Sequence, residues 1–458
     1  ILQAKNGTKR TYGCQELGNI TLTANETSGF KESMNTDLCF GEYQFATEFG
    51  ENSVVTEWGL VCEKRYLTFL GPTVYYIGVL MGAWIAGLLA DRIGRLPVQA
   101  LCLYTQGTMA VALYVVQNYP TFLALRGLQG VFVQGLQNST YILSLELFPA
   151  KARTFVALVM QIAWAIGLIL LAALSYVIPD WRILQLAVSV PTAITVLYIW
   201  MIPESPRWLL AKGKTTEADM ALERIAKYNK QPAGSQRLSM RNAYDTVELR
   251  TPIKKEMTSN YLSFYSRFTS SIACCVFMTL VPNFSFNRHI VFALGGALEI
   301  ATYVFLYFIL SRYGRRLSIS AYQSITGAIC ILLAAIIILS NPTTAIDLTK
   351  TIILLLGRIA VMSTVSITYL YTVEIFPTVV RGTCLGLCIV FAKIGNLCTP
   401  HELLSGEYFP VTIPLIIIGM LCLGSGAFAL ILPETLNKIL PDTTEDSELL
   451  IVRRRDKE

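Results

Sequence analysis

Four charged residues stand inside long apolar runs: Arg126, Glu299, Arg358 and Lys393. A charge at membrane depth is costly, and by default it marks a substrate path, a relay or an ion pair. Arg126 and Arg358 open related runs, and for them bracing a helix bundle and touching a substrate both remain open. Glu299, in Gly-Gly-Ala-Leu-Glu-Ile, sits mid-run and is expected either to pair with a basic residue or to face a cavity. Lys393 is the most telling of the four. It lies near the centre of Gly386 to Pro400, and its counterpart at an offset of 228 residues is the uncharged Ala165. From mid-helix its stem is short for reaching water. The expectation is an anchor for a substrate carboxylate, with Glu299 as its internal competitor.

The offset comes from a repeat. Leu125 to Gly167 reads LRGLQGVFVQGLQNSTYILSLELFPAKARTFVALVMQIAWAIG, and a second version, LGRIAVMSTVSITYLYTVEIFPTVVRGTCLGLCIVFAKIG, closes at Gly395. Glu146 maps onto Glu374, Arg153 onto Arg381 and Gly167 onto Gly395. A period of about half the chain implies two similar halves rather than a solenoid. Two membrane halves joined by a hydrophilic segment fit a transporter with parallel repeats and a substrate site between them.

Composition agrees. Of 458 residues, 53% are hydrophobic and only 15% are charged, against roughly 25% in soluble domains, and the mean hydropathy is +0.51. Apolar runs of ~20 residues are long enough to cross a bilayer. The net charge of +6 is concentrated in short links and reads as a topology signal, so nucleic acid is not an expected partner. There is no P-loop, HExxH or GxSxG motif, which argues against an enzyme. No metal or other cofactor is expected. His289 and His401 lie near run ends, and the adjacent Cys274 and Cys275 read as packing.

Residues 1–66 are polar and carry sequons at Asn6, Asn19 and Asn25 beside Cys14, Cys39 and Cys62. They are expected to form an extracellular glycosylated loop domain. Three cysteines leave one without a partner among themselves, and the start at Ile1 suggests a processed or incomplete chain. Eleven spans follow, over 67–90, 96–117, 121–145, 154–178, 183–203, 264–283, 289–311, 317–340, 350–374, 382–403 and 409–432. They divide into an N-terminal bundle (67–203), a linker (204–262) and a C-terminal bundle (263–433). Thr216 to Asn229 in the linker has the periodicity of a short interfacial helix. Residues 434–458 form a tail. Arg92 and Arg95, Lys151 and Arg153, Arg312 with Arg315 and Arg316, and Arg381 fall on one side. That side reads as the cytoplasm, leaving the sequons outside.

The motifs at that basic side also come in pairs. Gly-Leu-Leu-Ala-Asp-Arg-Ile-Gly-Arg, which holds Asp91, Arg92 and Arg95, is answered by Leu310-Ser311-Arg312-Tyr313-Gly314-Arg315-Arg316. Pro203-Glu204-Ser is answered by Pro433-Glu434-Thr. Asp91, Glu146, Arg153, Glu374 and Arg381, supported by Glu204 and Glu434, are expected to form a cluster whose ion pairs make and break as a gate.

Together A-D-R-x-G-R, LRGLQG, LELFPAKAR, PESPRWLL, VEIFPTVVRG and PETL resemble the organic ion transporter family of the major facilitator superfamily, which includes organic cation, organic anion and carnitine transporters. The resemblance implies an all-α membrane protein of two six-helix bundles around a central cavity. It implies a further helix before the ectodomain, absent here, and a longer stretch between Arg267 and Glu299. A non-transporting truncated relative is therefore the competing reading. Cation transporters of the family carry acids where Lys393 and Ser366 stand, whereas anion and carnitine transporters carry a basic residue at the first. The expected substrate is thus a small organic anion or a carnitine-like zwitterion, with an organic cation as the alternative. Tyr303, Tyr369 and Trp164 are candidates for aromatic walls, with plain helix packing as the alternative for residues at that spacing. Membrane lipid and a coupling ion are the other partners, and the plasma membrane is the expected location.

Overall fold

A computed structural model describes residues 2–3, 9–10, 52–61, 64–230, 257–280, 288–339, 344–397, 412–436, 438 and 441. The sequons, Cys14, Cys39, Cys62 and His401 lie outside them. Two short strands, β1 (Leu2–Gln3) and β2 (Lys9–Arg10), pair antiparallel, and the remaining regular structure among the described residues is helical.

A short helix, α1 (Val54–Glu57), precedes the first bundle. That bundle comprises α2 (Arg65–Ile93), α3 (Arg95–Val115), α4 (Tyr119–Leu147), α5 (Arg153–Val177) and α6 (Trp181–Ile194), the last continued as a 3-10 turn over Thr195–Trp200. The link holds α7 (Pro206–Ala211) and α8 (Thr215–Tyr228). The second bundle comprises α9 (Met257–Leu280), α10 (Arg288–Leu339), α11 (Thr344–Ile375), α12 (Arg381–Leu397) and α13 (Thr412–Ala429). The described part of each expected span falls on or overlaps a helix, with two of the spans on α10, which is broken at Gly314 (φ +81°).

Seven helices among the described residues are long and apolar enough to cross a membrane. Two further helices, α4 and α9, are less apolar because they carry polar residues that the bundles bury: Gln129, Gln134, Asn138 and Ser139 on α4, and Ser266, Arg267, Thr269 and Ser270 on α9. Helices turned inward are not required to look like lipid.

Small residues join the halves. A Cβ on Gly87 of α2 would lie 2.4 Å from the Gly382 carbonyl of α12, and one on Gly386 would lie 2.2 Å from that of Ala83. On the other side, Gly296 of α10 packs on Ala165 and Ile169 of α5. Backbones in such contact turn small residues into a dry, close-packed seam.

At one end of the first bundle, α1 docks through an aromatic cluster. The Trp58 ring lies 5.4, 5.0 and 5.7 Å from those of Tyr119, Phe122 and Trp181. Arg182 pairs with Glu57 at 2.6 Å and donates to the Tyr114 and Val116 carbonyls at the α3 C-terminus. In the link, α8 buries Ala218, Ala221, Leu222 and Ala226, and Ala218 and Ala221 cluster with Trp208 and Leu209 of α7.

Candidate functional site: a charged end and a central pair of cations

The opposite end of the bundles carries the repeated charges. Each half builds one unit in the same way. Gly94 (φ +116°) and Gly314 (φ +81°) adopt backbone that only glycine takes without strain. A Cβ at either would also lie 2.5 Å from a carboxylate oxygen, of Glu204 and Glu434 respectively. The space goes to those carboxylates. Glu204 accepts from the Arg95 and Leu96 amides at 3.2 and 3.0 Å, and Glu434 from those of Arg315 and Arg316 at 2.9 and 3.0 Å. Each thereby satisfies the open N–H groups of a helix start, where negative charge is favoured. Burial raises the Glu204 carboxyl above its ordinary value, and these amides oppose the rise.

The arginine after each glycine lies fully buried on a carboxylate. Arg95 holds Glu146 through Nε and Nη2, both at 3.2 Å, and Arg315 holds Glu374 through the same two nitrogens, both at 3.1 Å. Two-point contacts of this kind are the strong form of a charge-assisted bond.

The units differ in how they reach the other half. Arg381 donates to Glu146 at 2.6 Å, so one carboxylate of the first half holds an arginine from each half. Asp91 accepts from the Gly382 amide at 3.0 Å and from the Thr383 amide and hydroxyl at 2.7 and 2.8 Å, capping α12 from across the seam. It also lies 3.3 Å from Arg95. From the second half, Arg315 reaches across to the Thr154 hydroxyl at 2.6 Å. The expected single cluster is therefore two. Asp91, Arg95, Glu146 and Arg381 form one, while Glu374 belongs with Arg315 and Thr435. Arg153, buried, donates to the Lys438 carbonyl at 3.1 Å. Arg92 is exposed and joins neither set.

The central residues also divide. Of the two expectations for Glu299 the structure takes the basic partner: it pairs with Arg358 at 2.7 Å, both buried, and is not engaged with Lys393. Gly295, one turn before Glu299, explains the choice, because a Cβ there would overlap the Arg358 guanidinium at 2.6–2.8 Å. The absent side chain is the space the arginine fills. Lys393 is half-buried, and its ammonium faces the Tyr76 ring of the first half at 5.5 Å. Among the described residues no carboxylate pairs with it.

Tyr369 is buried at the boundary of the halves. Its hydroxyl donates to Asn138 Oδ1 at 3.0 Å, and its ring meets Tyr141 edge-on at 4.4 Å. A residue that the sequence reading passed over lies on its other contact. The Arg267 guanidinium stands 4.3 Å from the Tyr369 centroid and is 4% exposed, with Nε and Nη2 free of any hydrogen-bond partner among the described residues. Ser366 is buried. Tyr303 packs in the apolar cluster of α5 and α10 with Leu158, Ala165 and Leu306. Trp164 is 57% exposed and shares in none of these contacts.

Comparison with known proteins fits this arrangement. The family model described as sugar (and other) transporter matches residues 41–446. The chain is 33% identical over 436 residues to the organic cation transporter protein of Drosophila melanogaster, covering 91% of this chain and 78% of that one. It is 34% identical over 412 residues to organic anion transporter 3 of Oryctolagus cuniculus, covering 87% and 74%. Among solved structures, the proton:xylose symporter XylE bound to 6-bromo-6-deoxy-D-glucose superposes with a TM-score of 0.67 at 18% identity, covering 85% of this chain and 90% of that one. The human organic anion transporter MFSD10 gives 0.57 at 16%, covering 82% and 87%.

Proposed function

The chain belongs to the organic ion transporter family of the major facilitator superfamily, and from that premise we propose that it carries small organic anions or carnitine-like zwitterions by alternating access. Organic ion transport follows from the family; the sign of the ion is the step proposed. One observation carries it. The central carboxylate, Glu299, is already neutralised by Arg358, while Lys393 holds its charge against an aromatic ring. A site with surplus positive charge and π-faces favours a carboxylate joined to a bulky or quaternary-ammonium end.

The charged end is read as the cytoplasmic gate, in its closed state, because both units bridge the halves there. On this reading residues 1–66 are the extracellular glycosylated domain, and 204–262 and 434–458 lie in the cytoplasm of a plasma-membrane protein. A glycosidase shift lost on replacing Asn6, Asn19 and Asn25 by Gln supports that orientation; an N-terminus protected in intact cells contradicts it. Membrane lipid and a coupling ion complete the partners. The test of the substrate class is uptake by cells expressing the chain. Labelled hippurate, a carboxylate, is expected to enter faster than in control cells. Uptake of tetraethylammonium without hippurate assigns the chain to organic cations, and uptake of neither, at confirmed surface expression, to a non-transporting relative.

A further inference from the structure

We propose that Arg267 binds the carboxylate of the transported anion through its Nε–Nη2 edge, with Lys393 as the accompanying cation. This rests on the anion reading above and adds the residue that recognises the group.

Three other buried arginines turn that edge to a carboxylate, while Arg381 turns it to backbone carbonyls. Arg95 presents Nε and Nη2 to Glu146, Arg315 presents them to Glu374, and Arg358 presents them to Glu299. Arg267 is as deeply buried, and the same two nitrogens meet no acceptor among the described residues. A guanidinium stays charged at any physiological pH, so burial cannot be relieved by losing the proton. The group that fits is one the described residues do not supply: a planar pair of oxygens carrying negative charge.

The surroundings suit such a ligand. Tyr369 lies under the guanidinium at 4.3 Å, a cation–π contact with the ring. Around the same tyrosine, Asn138 Nδ2 and the Tyr141 hydroxyl also lack hydrogen-bond partners among the described residues. These two come from the first half and Arg267 from the second, so the polar groups converge at the boundary that alternating access must open. Lys393 stands on α12, which packs against α9 through the stacked rings of Phe264 and Phe391, 5.1 Å apart, and through Ser271, which donates to Asn396 Oδ1 at 2.6 Å. An anion held at Arg267 adds negative charge beside two helices that each carry an interior cation.

A fork and a point charge are separable by mutation. Arg267→Lys keeps the charge and loses the two-point geometry, so the KM for hippurate is expected to rise roughly ten- to a hundred-fold, with Arg267→Gln at least as severe. Wild-type KM in both variants, with uptake abolished by Lys393→Ala, overturns this inference and leaves the anion reading intact. Wild-type uptake of tetraethylammonium but not hippurate overturns both. A measurement on the wild-type protein covers variants that fail to reach the surface. Phenylglyoxal, which modifies guanidinium groups, is expected to label Arg267 less when hippurate is present, as read by mass spectrometry of its peptide. Equal labelling with and without hippurate removes Arg267 from the site.

Discussion

The two charged units share a plan and differ in the strength of their reach. In the first, a carboxylate binds arginines from both halves and Asp91 caps a helix of the other half with three hydrogen bonds. In the second, the bonds across the seam run from Arg315 to the Thr154 hydroxyl and from Arg153 to the Lys438 carbonyl, and neither is an ion pair. The repeat explains the difference residue by residue. The position answering Asp91 is Ser311, which is exposed and bonds to its own helix at the Tyr307 carbonyl. Thr383, which gives Asp91 its third bond, is answered by Phe155. Duplication supplied two equal frames, and substitutions at the seam placed most of the latch on one of them. On this account the first unit sets how tightly the charged end closes, and the second mainly holds its own bundle together.

The largest expected effect is at Glu146. Glu146→Gln leaves Arg95 and Arg381 buried without their carboxylate, at a cost of roughly 3–5 kcal/mol. Losses of that size move a two-state balance almost completely. Transport turnover should collapse while hippurate affinity of the purified protein changes little. Poor binding with normal cycling instead places Glu146 in the substrate site.

Next comes the direct contrast between equivalent positions. Asp91→Ala removes three bonds and a charge pair, at about 2–4 kcal/mol, whereas Ser311→Ala should stay within about 0.5 kcal/mol. Thermal unfolding and turnover, measured side by side, should both separate the two variants. Equal effects at both positions break the comparison.

The smallest of the latch effects is Thr154→Val, which deletes a hydroxyl that accepts from Arg315 while Glu374 remains in place. About 1–2 kcal/mol is expected, in turnover more than in stability. A loss matching that of Glu146→Gln contradicts the unequal division.

Much of this was legible in the sequence because a repeat turns each half into a control for the other. The paired Glu204 and Glu434, the arginines after each glycine, and the lone charge at Lys393 opposite Ala165 all stand out by alignment of the chain with itself. The pairing of Glu299 with Arg358 did not, since it depends on the volume left by Gly295 and not on any periodicity. Arg267 escaped for a different reason. The polar residues around it place the expected span at 264, which makes Arg267 a helix-end cation free to reach water. In the fold α9 begins at Met257, so the same residue stands well inside the helix, and its Ser and Thr neighbours face protein. Hydropathy finds helices turned to lipid and undercounts those turned inward, which are the ones that line a site.

Reversal of the charge at Lys393 tests the central claim most directly. With surface expression matched, uptake of hippurate and tetraethylammonium is compared across wild type, Lys393→Ala and Lys393→Asp. Loss of a charge-assisted contact worth roughly 1.5–3 kcal/mol should weaken hippurate about ten- to a hundred-fold in Lys393→Ala. Lys393→Asp should go further and admit tetraethylammonium. Unchanged selectivity across all three proteins would reduce Lys393 to a packing residue and contradict the anion-carrier account.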